Sequence, residues 1–81
     1  MYKIIYDNRI EKDIRPIPKN LLKVILAKIT TLSTNPRPMG AEKLIGISGW
    51  RIRAGKYRIL YTINDKKKNI AIYRIKHLNL S

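Results

Sequence analysis

Apolar residues in this chain follow two different rhythms, and the places where one gives way to the other outline a fold. Residues 2–6, Tyr-Lys-Ile-Ile-Tyr, are apolar and β-branched, which predicts a strand. From Ile10 the spacing turns helical, with Ile14 and Ile17 following at intervals of four and three, and Asp7 and Asn8 stand where an N-cap is needed. Pro16 and Pro18 stop that helix, because the residue before a proline is biased away from the α region. Pro18 also suits the first turn of a second helix. Leu22, Ile25, Leu26, Ile29 and Leu32 then make one apolar stripe, with Lys19, Lys23 and Lys28 largely off it. A helix over 19–33 is predicted, about 22 Å long at 1.5 Å per residue. The two helices, joined by a short proline corner, are expected to form a hairpin over the sheet.

Turn chemistry makes Asn35-Pro36-Arg37-Pro38-Met39-Gly40 a loop, stiffened by its two prolines. Leu44 and Ile45 are apolar but too few to define a strand. Alternation returns over Trp50–Ala54, 57–63 and 69–75, and the connections Ala54-Gly55-Lys56 and 64–68 have lengths that suit antiparallel hairpins. The class is therefore α+β: an N-terminal strand, a two-helix hairpin, then an antiparallel β-meander of three to four strands, in one domain over 1–81.

Both helices fall between the first strand and the meander, so they cover one face of the sheet and leave the other open. Alternate residues of a strand face opposite sides. Trp50 and Ile52, like Tyr57, Ile59, Tyr61 and Ile63, belong to the covered face. Arg51, Arg53, Arg58, Leu60 and Thr62 belong to the open one. Tyr73 is a further core candidate, while Tyr2 and Tyr6 are expected to pack the first strand. His77 has the parity of Tyr73 and Ile75 rather than of Arg74 and Lys76. It reaches the open face only if the strand ends or bulges before it.

Composition sharpens what that open face is for. Eighteen Lys and Arg stand against five acids, a formal net charge of +13, so a negatively charged partner is expected, nucleic acid foremost. The segment from Arg51 to Arg58 holds three arginines and Lys56 in eight residues, interleaved with large apolar side chains that anchor them on a sheet. Lys66, Lys67 and Lys68 form a second basic run at a hairpin tip, read as a solvated run with contact to ribosomal RNA as the alternative. A chain of this size buries roughly 60–65% of its unfolded surface, and with no Cys it draws on neither disulfides nor thiolate metal sites. No apolar stretch approaches a membrane span and Met1-Tyr2-Lys3 does not open a secretory signal, so a cytoplasmic protein without membrane partner is expected.

The same inventory removes several chemistries. Asp7, Glu11, Asp13, Glu42 and Asp65 are scattered and His77 is the sole histidine, which argues against a metal site, and Asp7, Glu11 and Asp13 fit the first turns of a helix. The four glycines form no phosphate-cradling loop, and no small-molecule cofactor is indicated. A cluster of cations remains, and one reaction can run on it. RNA carries its own nucleophile in the 2′-hydroxyl, so cleavage needs in-line positioning, stabilisation of the phosphorane charge and a proton for the leaving 5′-oxygen.

The order of elements, with Asn-Pro-Arg-Pro-Met-Gly-Ala-Glu-Lys-Leu-Ile-Gly (35–46) ahead of Trp-Arg-Ile-Arg-Ala-Gly-Lys-Tyr-Arg-Ile-Leu-Tyr (50–61), resembles the RelE/ParE superfamily of toxin–antitoxin toxins. Residues 69–77, Asn-Ile-Ala-Ile-Tyr-Arg-Ile-Lys-His, resemble that family's last strand. The RelE branch cuts messenger RNA in the A site of translating ribosomes without a metal. The resemblance implies that Arg58 is the phosphate-stabilising arginine and that Arg51 and Arg53 approach the scissile phosphate and the 2′-hydroxyl. It implies His77 as a further catalytic group, and Lys56, Arg74, Lys76, Lys66, Lys67 and Lys68 as RNA-binding cations. The implied partners are an acidic RelB-like antitoxin, seated on a cationic face with no counter-charge of its own, and the ribosome with its message. The run Lys76-His77-Leu78-Asn79-Leu80-Ser81 departs from the family, with Leu78 at an arginine position and no tyrosine after it. Two other implied readings stay open: a ParE-like toxin directed at DNA gyrase, and a decayed relative that binds antitoxin or RNA without cutting.

Overall fold

The three alternating segments pair with one another as their periodicity requires, and the structure, a computed structural model, describes residues 1–79. The elements are β1 (Lys3–Tyr6), α1 (Ile10–Ile14), α2 (Lys19–Leu32), β2 (Glu42–Lys43), β3 (Trp50–Ala54), β4 (Tyr57–Asn64) and β5 (Asn69–His77). They build one five-stranded sheet in the order β1-β5-β4-β3-β2. Strands β2 to β5 form the antiparallel meander and β1 joins β5 in parallel. The α+β expectation is borne out, with the strand starts at Trp50, Tyr57 and Asn69 as read and the last two strands running on to Asn64 and His77. Leu80 and Ser81, the end of the C-terminal run, lie outside the described residues.

The helix-covered face holds the core. Ile25, Ile29 and Leu32 of α2 pack with Ile52, Ile59, Tyr61, Ile70, Ile72 and Ile75 of the sheet, all nearly inaccessible. Leu22, Trp50, Tyr57 and Ile63 pack partly against them, as the parity of their strands and helix demands. Tyr61 donates its buried hydroxyl to the Pro36 carbonyl at 2.7 Å, which pins the proline loop to the sheet. Burial pushes that phenol up to about 12. The Arg37 guanidinium lies over the Trp50 ring, 5.5 Å from its centroid, and secures the same loop.

Four local expectations need correction. The first helix stops at Ile14, and Ile17 reaches the core through a turn in which its N–H donates to the Ile14 carbonyl at 3.0 Å. The residue at its N-cap position is Arg9, with no side-chain cap, while Asp7 accepts from the Arg9 N–H at 2.9 Å one step earlier. Leu26 is 42% exposed rather than buried, because it flanks the stripe and lines a groove with Tyr6, Ile10, Ile14 and Ile75. Tyr6 is 48% exposed in the same groove instead of packed. The helices also divide the sheet between them, α1 packing against β5 and α2 against β3.

A β-bulge interrupts β5. Leu60 pairs with Arg74 and Tyr61 with Ile72, so Tyr73 is an extra, unpaired residue. Ile72 and Ile75 both stay in the core, and the two residues between them turn away from it. Tyr73 is thus not a core residue, which corrects its expected place. Its hydroxyl crosses β4 and lies 3.0 Å from where a Cβ on Gly49 would be, with the Tyr61 carbonyl oxygen at 3.3 Å. Gly49 has φ 141°, a conformation that suits only glycine. Gly49→Ala is expected to cost about 1–3 kcal/mol in strain and crowding, read as a lower urea midpoint at unchanged slope.

Candidate RNA-facing cation site

The open face is ordered in cross-strand rows. Arg53, Arg58 and Lys76 are direct neighbours on β3, β4 and β5. In the next row Glu42, Arg51, Leu60 and Arg74 follow across four strands. Opposed residues in adjacent strands have Cβ atoms about 4.5–5.5 Å apart, where like charges destabilise the pair. Arg53, Arg58 and Lys76 meet that repulsion with no acid in ion-pair contact among the described residues. Arg51, Arg53 and Arg58 line a concavity of about 210 Å³ together with Gly40, Glu42, Ile52 and Leu78. The expected grouping of the three arginines on one open face is what the structure contains.

The tight turn that brings β3 back as β4 holds this arrangement. Ala54 pairs with Tyr57, and Gly55 at φ 61° opens a two-residue turn of the kind that matches strand twist. Lys56 sits exposed in that turn, and its carbonyl accepts from the Leu78 N–H at 2.9 Å. Leu78 is thereby fixed at the wall of the concavity.

The acids stay apart from one another, and each has a basic partner. All five pair with arginines: Asp7 with Arg9, Glu11 with Arg15, Asp13 with Arg74, Glu42 with Arg51 and Asp65 with Arg37. Glu42 places its carboxylate 3.1 Å from the Arg51 guanidinium inside the concavity. The cationic face therefore has an internal counter-charge, against expectation. The sequence does not announce the Glu42–Arg51 pair because β2 is two polar residues long, with no periodicity of its own to mark a strand.

Asp13 is likewise more than an acid in the first turn of a helix. Strand β1 pairs only with 69–72, so β5 continues past it with a bare edge. Asp13 covers that edge by accepting from the Ile75 N–H at 2.9 Å and from the Arg74 Nε at 2.9 Å. Burial works to raise this carboxyl's pKa, but the bonds from Arg74 and Ile75, with the nearby charges of Arg74 and Lys76, hold it below the ordinary value. Arg74 is committed to that contact.

His77 is not brought to the arginines. The bulge precedes it, yet His77 pairs with Tyr57 on the helix face, their rings edge-on at 5.1 Å. Its Nδ1 accepts from the Asn79 N–H at 3.1 Å. It lines a separate groove of about 500 Å³ with Lys12, Pro16, Ile17 and Lys76. The bulge shifts register at Tyr73, while Arg74 to His77 keep the relative parity of a regular strand.

Lys66, Lys67 and Lys68 are also remote from the triad. They follow the far end of β4, which lies about 20 Å from Arg58 at 3.4 Å per residue. Lys68 adopts φ 55° to close its turn, its carbonyl accepts from the Lys3 N–H, and its Nζ lies 5.1 Å over the Tyr2 ring. Among the described residues, no group of three or more His, Cys, Asp or Glu converges as metal ligands, and no helix is long and apolar enough to cross a membrane.

Comparison with known proteins places this geometry in a family. The family described as "ParE toxin of type II toxin-antitoxin system, parDE" matches residues 4–78. A curated protein named as toxin RelE1 of Methanocaldococcus jannaschii is 30% identical over 78 residues, covering 91% of this chain and 87% of that one. Among solved structures, the archaeal RelE–RelB complex of Pyrococcus horikoshii superposes with a TM-score of 0.84 at 27% identity, covering 99% of this chain and 98% of its match. The isolated RelE toxin of E. coli shares the fold, with a TM-score of 0.83 at 21% identity over 100% of this chain and 88% of that one. The chain belongs to the RelE/ParE superfamily of type II toxin–antitoxin toxins, and is RelE-like in structure.

Proposed function

We propose that this chain is a toxin that cuts messenger RNA on the translating ribosome, without a metal, and that an acidic RelB-like antitoxin holds it inactive. The observation that carries the reading is the Arg53–Arg58–Lys76 row beside a concavity shared with Arg51. Such a row costs stability on its own, and it is repaid when a phosphate enters. Arginine forks match the non-bridging oxygens of a phosphodiester, and on rigid strands they are aimed before the charge develops.

In the reaction that follows, the 2′-hydroxyl attacks its own phosphate. The 2′-oxygen–phosphorus bond forms as the bond to the 5′-oxygen breaks. The 2′ proton leaves and one is taken up by the departing oxygen, which gives a 2′,3′-cyclic phosphate and a 5′-hydroxyl end. Arg58 stabilises the phosphorane, with Arg51 and Arg53 at the scissile phosphate and the attacking side. Lys56 and Lys76 extend the binding path. Lys66, Lys67 and Lys68 form a second basic end suited to ribosomal RNA, while Arg74 serves the sheet edge and His77 lies outside the site.

The relatives named for RelE–RelB complexes support an antitoxin partner. An acidic segment folding onto this face would weaken its hold as salt rises.

Expression in growing cells, with primer extension on a translated message, tests the proposal. Cuts within codons that disappear when translation is blocked are expected. Growth arrest with intact RNA and inhibited supercoiling would instead support a gyrase-directed toxin, a reading favoured by the ParE family match and by Leu78 at the wall of the site. Unaffected growth with tight antitoxin binding would leave a binding protein only.

A further inference from the structure

The cation row ends at a stretch of sheet edge that β1 does not cover. Strand β1 pairs with 69–72 only, so 73–77 form an outer edge, and a groove of about 500 Å³ lies between that edge and α1 with the turn after it. Residues from both faces of the sheet meet there. Lys76 comes from the row with Arg53 and Arg58, while His77 comes from the helix side. Lys12, an exposed residue, lines the groove from α1, and Pro16 and Ile17 line it from the turn. Asp13 is the one acid among the described lining residues, and its carboxylate is already taken by Arg74 and the Ile75 N–H.

His77 is set as a donor. Its Nδ1 accepts from the Asn79 N–H at 3.1 Å, so the neutral ring carries its proton on Nε2. The edge-on contact with Tyr57, 5.1 Å between centroids, fixes the ring plane. Nε2–H is therefore the group that this ring offers a ligand, beside the ammonium groups of Lys12 and Lys76.

We infer, building on the RNA reading above, that this groove is a second phosphate site, which takes a phosphodiester of the RNA strand after the strand has passed Arg53, Arg58 and Lys76. Three observations favour that occupant. The row crosses two strand spacings, about 10 Å in all, and Lys76 is both its last member and part of the groove wall, so the two sites are continuous. Charge gives the path a direction. On the open face the β2 end of the sheet carries Glu42, whereas the β5 end offers Lys76 and then Lys12. The donors suit a phosphate as well, because ammonium groups on long stems follow a flexible strand and an imidazole N–H adds one directed bond.

The probes are a 2′-O-methyl RNA dinucleotide and a series of longer strands, uncleavable by 2′-hydroxyl chemistry, with affinity read by anisotropy at several salt concentrations. Wild type should gain affinity in a step at the length that reaches the groove, and its salt slope should steepen there by about 0.7, the value for one single-strand phosphate. Lys12→Ala is expected to bind the longer strands roughly tenfold more weakly, the lower range for a lost hydrogen bond to a charged group. It should also lose the added slope, and bind the dinucleotide as wild type does. His77→Phe keeps a ring against Tyr57 and should weaken only the longer strands, by about threefold. Equal binding of the longer strands by wild type and Lys12→Ala, or an equal loss on the dinucleotide, would overturn the groove site and leave the RNA reading standing. Wild type that binds none of the strands would overturn both. A nucleoside 5′-monophosphate bound tightly by wild type and not by Lys12→Ala, with no step among the strands, would give the groove to a free nucleotide and overturn the strand path. A polyglutamate peptide weakened by Lys12→Ala, with the strands unaffected, would give it to an acidic protein instead. Thermal midpoints separate a folding defect from a lost contact, and His77→Phe, which preserves the ring packing, guards against a misfolded Lys12→Ala.

Discussion

Arg58→Ala is expected to lower the rate of message cleavage by about 10²–10³, the usual loss when one preorganised donor to a transition-state oxyanion is removed. Arg58 is the central member of its row, flanked by Arg53 and Lys76, so its guanidinium is the one that a phosphate in the concavity meets from both sides. The fold should tolerate the change. Arg58 faces away from the core and makes no ion pair with an acid among the described residues. Its removal relieves repulsion with two neighbours worth a few tenths of a kcal/mol or more. The thermal midpoint should therefore stay within a few degrees or rise. Arg58→Lys should recover only part of the rate, because an ammonium is a point charge and not a two-pronged fork. Single-turnover cleavage on programmed ribosomes, beside a melting curve, separates these effects. Full activity in Arg58→Ala would remove Arg58 from the site.

Asp13→Ala should produce the largest loss of stability of any change outside the apolar core. The Asp13 side chain is 12% exposed, and it accepts from Arg74 and from the Ile75 N–H. Hydrogen bonds to a charged group contribute about 1.5–3 kcal/mol, and the Ile75 amide would be left without a partner at the sheet edge. A loss of about 2 kcal/mol in a domain this small corresponds to roughly 8–16 °C in the thermal midpoint. The same carboxyl sets a pH dependence. Its pKa when folded lies below the ordinary carboxylate value, so the unfolded chain binds the proton more readily. The contribution of Asp13 is complete above the ordinary value of 3.8 and drains away as pH falls through the folded value. Stability measured from pH 6 downward should fall more steeply in wild type than in Asp13→Asn, which keeps an acceptor for Ile75 but has no charge to titrate. Parallel curves would show that Asp13 is not held as described.

The strands could be read from the chain because burial on one face writes itself as alternation, and in 57–63 and 69–75 that alternation is nearly unbroken. The arginine grouping could be read for the same reason, since parity places Arg51, Arg53 and Arg58 together without any knowledge of their neighbours. What stayed hidden depended on neighbours. Strand β2 exists only because β3 offers it partners, so the Glu42–Arg51 pair had no local sign. The bulge at Tyr73 preserves Ile70, Ile72 and Ile75 in one core, and a step of three between the last two was there to be seen. A uniform strand hid it. Asp13 lies in a helix start that explains an acid adequately, and only the short length of β1 exposes the edge that it covers. His77 was placed on the covered side by parity, and the structure keeps it there.

The role of the cation site turns on whether the nucleophile belongs to the RNA. A message with one 2′-deoxy nucleotide at the bond that is cut, presented on a programmed ribosome beside its all-ribose counterpart, asks this directly. The predicted result is cleavage of the all-ribose message to a 2′,3′-cyclic phosphate end, and an intact bond at the deoxy position. Equal cleavage of the two messages would contradict the 2′-hydroxyl chemistry, and an intact all-ribose message would contradict the cutting itself.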